Sequence, residues 1–161
     1  DKMWTYTPKL NRSIRLPYSL MSQSWAGSDF SYNDLARTDN LLKYYDLTII
    51  ETVKKETHTI YKVEAVPHDD APVVWGRETW TMRDDYVILE EVFYDQALVP
   101  LKRLVTLEIG IMGGRPMATR MRMEMIEEPN HWTEIVVHNA EFDLDLDSSM
   151  FTVFALKSAG N

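Results

Sequence analysis

From Met117 to Ile126 the chain alternates: Met117, Thr119, Met121, Met123 and Met125 fall on one side, and Ala118, Arg120, Arg122 and Glu124 on the other. A repeat of two fits a β-strand, whose successive side chains point to opposite faces. It does not fit a helix, whose repeat of 3.6 would mix the two sets. Such a strand has one dry side and one wet side, so it belongs to a sheet covered on a single face. The stretch before it behaves alike, with Val105, Leu107, Ile109 and Ile111 alternating with Thr106, Glu108 and Gly110. Gly113-Gly114 between the two runs supplies the positive φ angles that a tight hairpin turn needs. Setting the two apolar sets side by side predicts one concave apolar face that holds Met121, Met123 and Met125 with Val105, Leu107 and Ile109.

Period two continues upstream. Leu47 to Val53 with His58 to Val66, and Val73 to Met82 with Tyr86 to Tyr94, read as two more hairpins. The second turns at Asp84-Asp85, and the loop Pro67-His68-Asp69-Asp70-Ala71-Pro72 separates the two. A last strand starts at Trp132, after Glu128-Pro129-Asn130, and runs on toward Phe142. The opening residues, Asp1-Lys2-Met3-Trp4-Thr5-Tyr6, read as the inside of a strand, which suggests the later part of a longer precursor. Helical signals are short. Ser31 caps a turn over residues 32–35 with Asp34 in its first turn, and a second turn begins near Asp147-Ser148-Ser149, from which Met150-Phe151 are expected to pack back on the sheet. Neither stands without tertiary support. The expected fold is mainly β within the α+β class, with roughly eight antiparallel strands in one strongly curved sheet and short helices attached.

The chain's 161 residues, 45% of them apolar, suffice for a single-domain core without a staple, and the absence of cysteine removes disulfides and thiol nucleophiles. With 17 Lys+Arg against 25 Asp+Glu, the net charge of −8 disfavours nucleic acid as a partner. His58, His68, His131 and His138 form no metal or catalytic spacing. His68-Asp69-Asp70 gathers an imidazole and two carboxylates, yet adjacent side chains in an extended loop diverge. No G-x-S-x-G elbow occurs. The acids of Asp84-Asp85, Glu90-Glu91 and Glu127-Glu128 point to opposite faces and read as solvated turns and strand ends, and Arg115, Arg120 and Arg122 as a solvated face. No catalytic residue, metal or cofactor is therefore expected. The methionines remain the informative feature: an unbranched, polarizable side chain adapts to ligands of variable shape, although it also fills an ordinary core.

Trp4-Thr5-Tyr6-Thr7-Pro8, then Ser24-Trp25-Ala26-Gly27-Ser28-Asp29-Phe30-Ser31-Tyr32-Asn33-Asp34-Leu35, resembles the W-x-Y-x-P and S-x-x-G-S-D-F-[ST]-Y-x-D-L runs of the outer-membrane lipoprotein-sorting protein family, whose fold is LolA/LolB-like. Pro116 to Met123, with Thr119, resembles its P-x-x-T-x-[ML]-x-M strand, and Ser148-Ser149-Met150-Phe151-Thr152 its closing turn, although Phe154 stands where the family often has a basic residue. The resemblance implies a half-open antiparallel barrel with helices as a lid, a periplasmic location, and an apolar interior that shelters lipid or lipoprotein acyl chains without catalysis. It implies that strands and a helix precede Trp4, and that Gly27, Ser28, Asp29 and Phe30 form a structural turn in which Asp29 accepts backbone hydrogen bonds and Phe30 is buried. Expected partners are an acyl chain, a membrane exporter or outer-membrane acceptor protein, and a second copy of the chain at an uncovered sheet edge. The alternative is a periplasmic interaction module attached to an exporter, with the same face filled as core and no lipid ligand.

Overall fold

A hairpin of β1 (Trp4–Thr7) and β2 (Arg12–Arg15) comes first, followed by two short helices, α1 (Tyr32–Leu35) and α2 (Asn40–Tyr44). Seven strands follow: β3 (Tyr45–Lys54), β4 (Thr59–Pro67), β5 (Arg77–Arg83), β6 (Ile88–Tyr94), β7 (Pro100–Met112), β8 (Arg115–Met125) and β9 (Trp132–Val136), and then α3 (Val153–Ser158). The computed structural model describes residues 3–36, 40–128 and 130–158. β3 to β9 form one antiparallel sheet, each strand beside its chain neighbour, curved and not closed. This is the mainly β, curved antiparallel sheet that the alternation predicts, left open as the resemblance implies.

The strand limits differ in places. Val73 to Gly76 is loop rather than strand: a Cβ on Gly76 would stand 2.3 Å from the Asp95 carbonyl oxygen, so the backbones approach too closely there for a regular ladder, and β5 begins at Arg77. β9 stops at Val136 instead of continuing toward Phe142. β2 carries no alternation that would announce it and is held by its register with β1, Trp4 opposite Arg15. Asp1, Lys2 and Pro129 lie outside the described residues. Met150 and Phe151 are 59% and 75% exposed and do not pack on the sheet, because the Asp147 side chain caps a separate 3-10 turn there, accepting from the Ser149 N–H.

Register assigns the two faces, since directly paired residues share a side. One row across the sheet reads Ala65, Glu78, Phe93, Lys102, Met125, and the next Val63, Trp80, Glu91, Leu104, Met123, Thr133. This is the inner face. Phe30 from the segment before α1 and Trp75 from the loop before β5 pack on it with Phe93 and Met123, the two rings Trp75 and Phe93 lying 5.2 Å apart and tilted. Each such apolar side chain taken out of water contributes about 1.5–3 kcal/mol.

The outer face carries an ion-pair lattice: Glu134 accepts from both Arg120 and Arg122, and Arg103 reaches Glu124 and Glu90. Hydrogen bonds from Arg122 first, then Arg120, hold the Glu134 carboxyl below its ordinary 4.5. A carboxylate whose pKa is lowered by folding stabilises the fold above the unfolded value and loses that contribution as the pH falls through the folded one. The advantage of the wild type over Glu134→Gln in melting temperature is therefore expected to be full at neutral pH and to shrink below about pH 4.5. A gap unchanged between pH 7 and 3 would show that the lattice contributes nothing.

Candidate functional site

The segment 21–36 lies across the inner face as a strap, and its local sequence explains its shape. Trp25 to Ser28 forms a tight turn with φ of 52° at Ala26 and 75° at Gly27. Positive φ at both central positions is type I′ geometry, which Gly27 adopts freely and Ala26 at a cost of about 1–2 kcal/mol. Ser28 fastens the turn, its hydroxyl donating to the Trp25 carbonyl at 2.6 Å, and the Phe30 N–H donates back to Ser28 Oγ at 3.2 Å. Ser31 and Asp34 then form a capping box: the Ser31 N–H donates to Asp34 Oδ2 at 2.7 Å, and the Asp34 N–H to Ser31 Oγ at 3.2 Å.

Three contacts bind the strap to the sheet. Phe30, 5% exposed, fills the space over Met123. Asp29, its side chain 3% exposed, accepts from Thr133 Oγ1 at 2.6 Å and pairs with His131 Nδ1, while its own N–H donates to Thr133 Oγ1 at 3.0 Å. The expected burial of Phe30 is therefore observed. In place of the backbone hydrogen bonds expected at Asp29, its carboxylate takes the side chains of Thr133, 104 residues on, and of His131 just before β9, because the strap crosses the sheet at this point. Asp29→Ala is expected to cost about 1–3 kcal/mol, the range for leaving buried hydrogen-bonding partners unmatched, and to lower the melting temperature. Unchanged melting would move Asp29 from a folding role to another one.

The third contact was not foreseen. Lys102 and Asp34, each with its side chain 5% exposed, form an ion pair under the strap, and the ammonium lies 5.0 Å from the Trp75 ring centroid and 5.2 Å from that of Phe93. Glu78 at 1% and Glu91 at 8% are also buried on this face, Glu91 accepting from Trp80 Nε1 at 2.7 Å. The reading of Glu90-Glu91 as solvated is thus corrected for Glu91: the two acids do point to opposite faces, but one of them points inward. The inner face is apolar with charges set into it.

Met121, Met123 and Met125 share the inner face with Leu104 and Ile135. Val105 does not. The two-residue turn Gly113-Gly114 pairs Val105 of β7 with Arg122 of β8, on the outer face. The ladder then slips on either side of Glu108, which pairs with Arg120 in the outer lattice, so Leu107 falls in the first slip and Ile109, opposite Ala118, lies on the side away from Glu108; the two are 38% and 39% exposed. The grouping with the methionines is corrected for Val105. Among the other expected motif residues, Trp4 and Tyr6 lie on β1 and Pro8 opens a 3-10 turn, Leu35 is 42% exposed on α1, and Thr119 sits on β8 against Gly110.

His68 reaches Asp46 at 3.3 Å. Among the described residues a different group, His58, Asp84 and Asp85, brings ligand-type atoms within 4.8 Å of one another. Its carboxylates are already engaged: Asp84 accepts from the Thr59 N–H and contacts His58, which lowers its pKa, and Arg83 grips Asp85 through two nitrogens. It is better described as a turn held by ion pairs.

A family model described as "uncharacterized protein" matches residues 1–158. The chain belongs to that family. Its fold matches a DUF1329 family protein from Desulfovibrio piger with a TM-score of 0.84 at 25% identity, over 96% of this chain and 64% of that one. A protein from Vibrio parahaemolyticus described as an outer membrane lipoprotein-sorting protein domain gives 0.82 at 23% identity, over 97% and 66%. A LolA superfamily protein from Nitrosomonas europaea gives 0.66 at 18%, over 96% and 68%. The last two likenesses bear on the fold alone, and the chain spans slightly under two-thirds of the first two relatives' length. Among curated proteins none matches the chain. The chain therefore has the LolA-like fold that the motifs from Trp4 to Phe151 imply.

Proposed function

We propose that this chain is an exported, periplasmic carrier module that shelters lipid or lipoprotein acyl chains on the inner face of its curved sheet, in transit toward the outer membrane, without catalysis. The observation that carries the reading is the incomplete cover of that face. Phe93 and Met123 are buried under the strap, whereas Leu47, Ile49 and Ile88, on the same side by register, are 40%, 60% and 40% exposed. An apolar face that its own chain covers only in part offers burial to a methylene chain at about 0.8 kcal/mol per CH₂, with Met121 and Met125 adapting to its path. The lipoprotein-sorting description of the Vibrio protein of the same fold supports this choice of cargo.

Native mass spectrometry of protein purified without detergent, followed by lipid extraction, tests the reading. Co-purifying acylated species that compete with a fluorescent fatty acid are expected. A ligand-free mass and no displaceable fatty-acid binding would favour the interaction-module alternative, for which the burial of Phe30 against Met123 speaks.

A further inference from the structure

Two buried polar atoms beside the Lys102–Asp34 pair have no hydrogen-bond partner. Asp34 uses Oδ2 for both the Ser31 N–H and the Lys102 ammonium, while its Oδ1 accepts from nothing. Trp75 lays its ring against the same ammonium, and its Nε1 donates to nothing. Buried polar atoms are almost always satisfied, so one orphan acceptor and one orphan donor flanking a single cation need a physical reason. Lys102 is already matched by Asp34, one charge against one, which leaves no net positive charge to draw an anionic head group. A hydroxyl, which donates once and accepts as well, offers the complement of both orphans and carries no charge to disturb the pair.

We infer that this spot receives the hydroxyl of a neutral acylated alcohol, the class to which monoacylglycerols belong: the hydroxyl donates to Asp34 Oδ1 and accepts from Trp75 Nε1. The acyl chain then follows the inner face past Leu104 toward Thr106, four residues or ~13 Å along β7 from Lys102. This rests on the carrier reading and adds to it a polar end, and therefore a direction, for the bound lipid.

Isothermal titration of the intact chain with 1-monolauroylglycerol, methyl laurate and laurate tests it. Monolauroylglycerol is expected to bind about tenfold more tightly than methyl laurate, the scale of one or two buried hydrogen bonds. Trp75→Phe, which keeps a ring and removes the donor, should bring the two within about threefold by weakening only the glyceride. The Trp75 indole N–H resonance should also shift with monolauroylglycerol and not with methyl laurate, a readout that needs no variant. Equal binding of all three probes, or a preference for laurate, would overturn the hydroxyl site while leaving the carrier reading standing. No binding of any probe would overturn both.

Discussion

Lys102→Met is expected to destabilise the fold by about 3–5 kcal/mol, because it leaves the Asp34 carboxylate buried without its cation. The side chains of both partners are 5% exposed, so water does not replace what is removed. Combining it with Asp34→Asn should recover most of the loss: the amide still accepts from the Ser31 N–H, and methionine can pack against the Trp75 and Phe93 rings that the lysine ammonium now faces. Urea denaturation of the two single variants and the double variant gives the coupling directly. Strict additivity would mean that the pair does not act as a pair.

Phe30→Ala carries the second large effect, about 3–5 kcal/mol for emptying a buried aromatic site. Its second consequence is specific to the strap. With the ring gone, the cover over Met123 depends on Asp29 and Asp34 alone, so hydrogen exchange should rise across residues 21–35 before it rises in β5 to β8. Fluorescent fatty-acid binding at fixed protein concentration should increase severalfold as the inner face opens. If exchange rose uniformly and binding fell, Phe30 would be an ordinary core residue of a sheet that accepts no ligand.

The parts of this architecture that reside in local pattern were legible from residues alone. Met121, Met123 and Met125 alternate with Arg120 and Arg122, and the structure puts the first set inside and the second into ion pairs with Glu134. What was not legible is parity across a turn. Whether Val105 joins the methionines or the arginines depends on whether the loop holds two residues or three, and apolar content does not say. The buried charges were half legible. Glu78, Trp80 and Met82 alternate on one side of β5, and so do Glu91 and Phe93 on β6, which places acids within apolar sets. That Lys102 meets Asp34 under the strap is a contact across 68 residues, and no spacing in the sequence encodes it.

The outer lattice also bears on which wrong structures the chain can avoid. Sliding β8 by one residue against β9 would turn Met123 outward and drive Arg122 into the space beneath Phe30, and in the same step it would pull Arg120 and Arg122 away from Glu134. Each face thus proofreads the other: an error in the apolar packing is also an error in charge pairing, and the two penalties fall together. Apolar side chains of similar size on the inner face have little selectivity for one strand register over another. The arginines and glutamates on the far side supply that selectivity, so the inner face is free to vary.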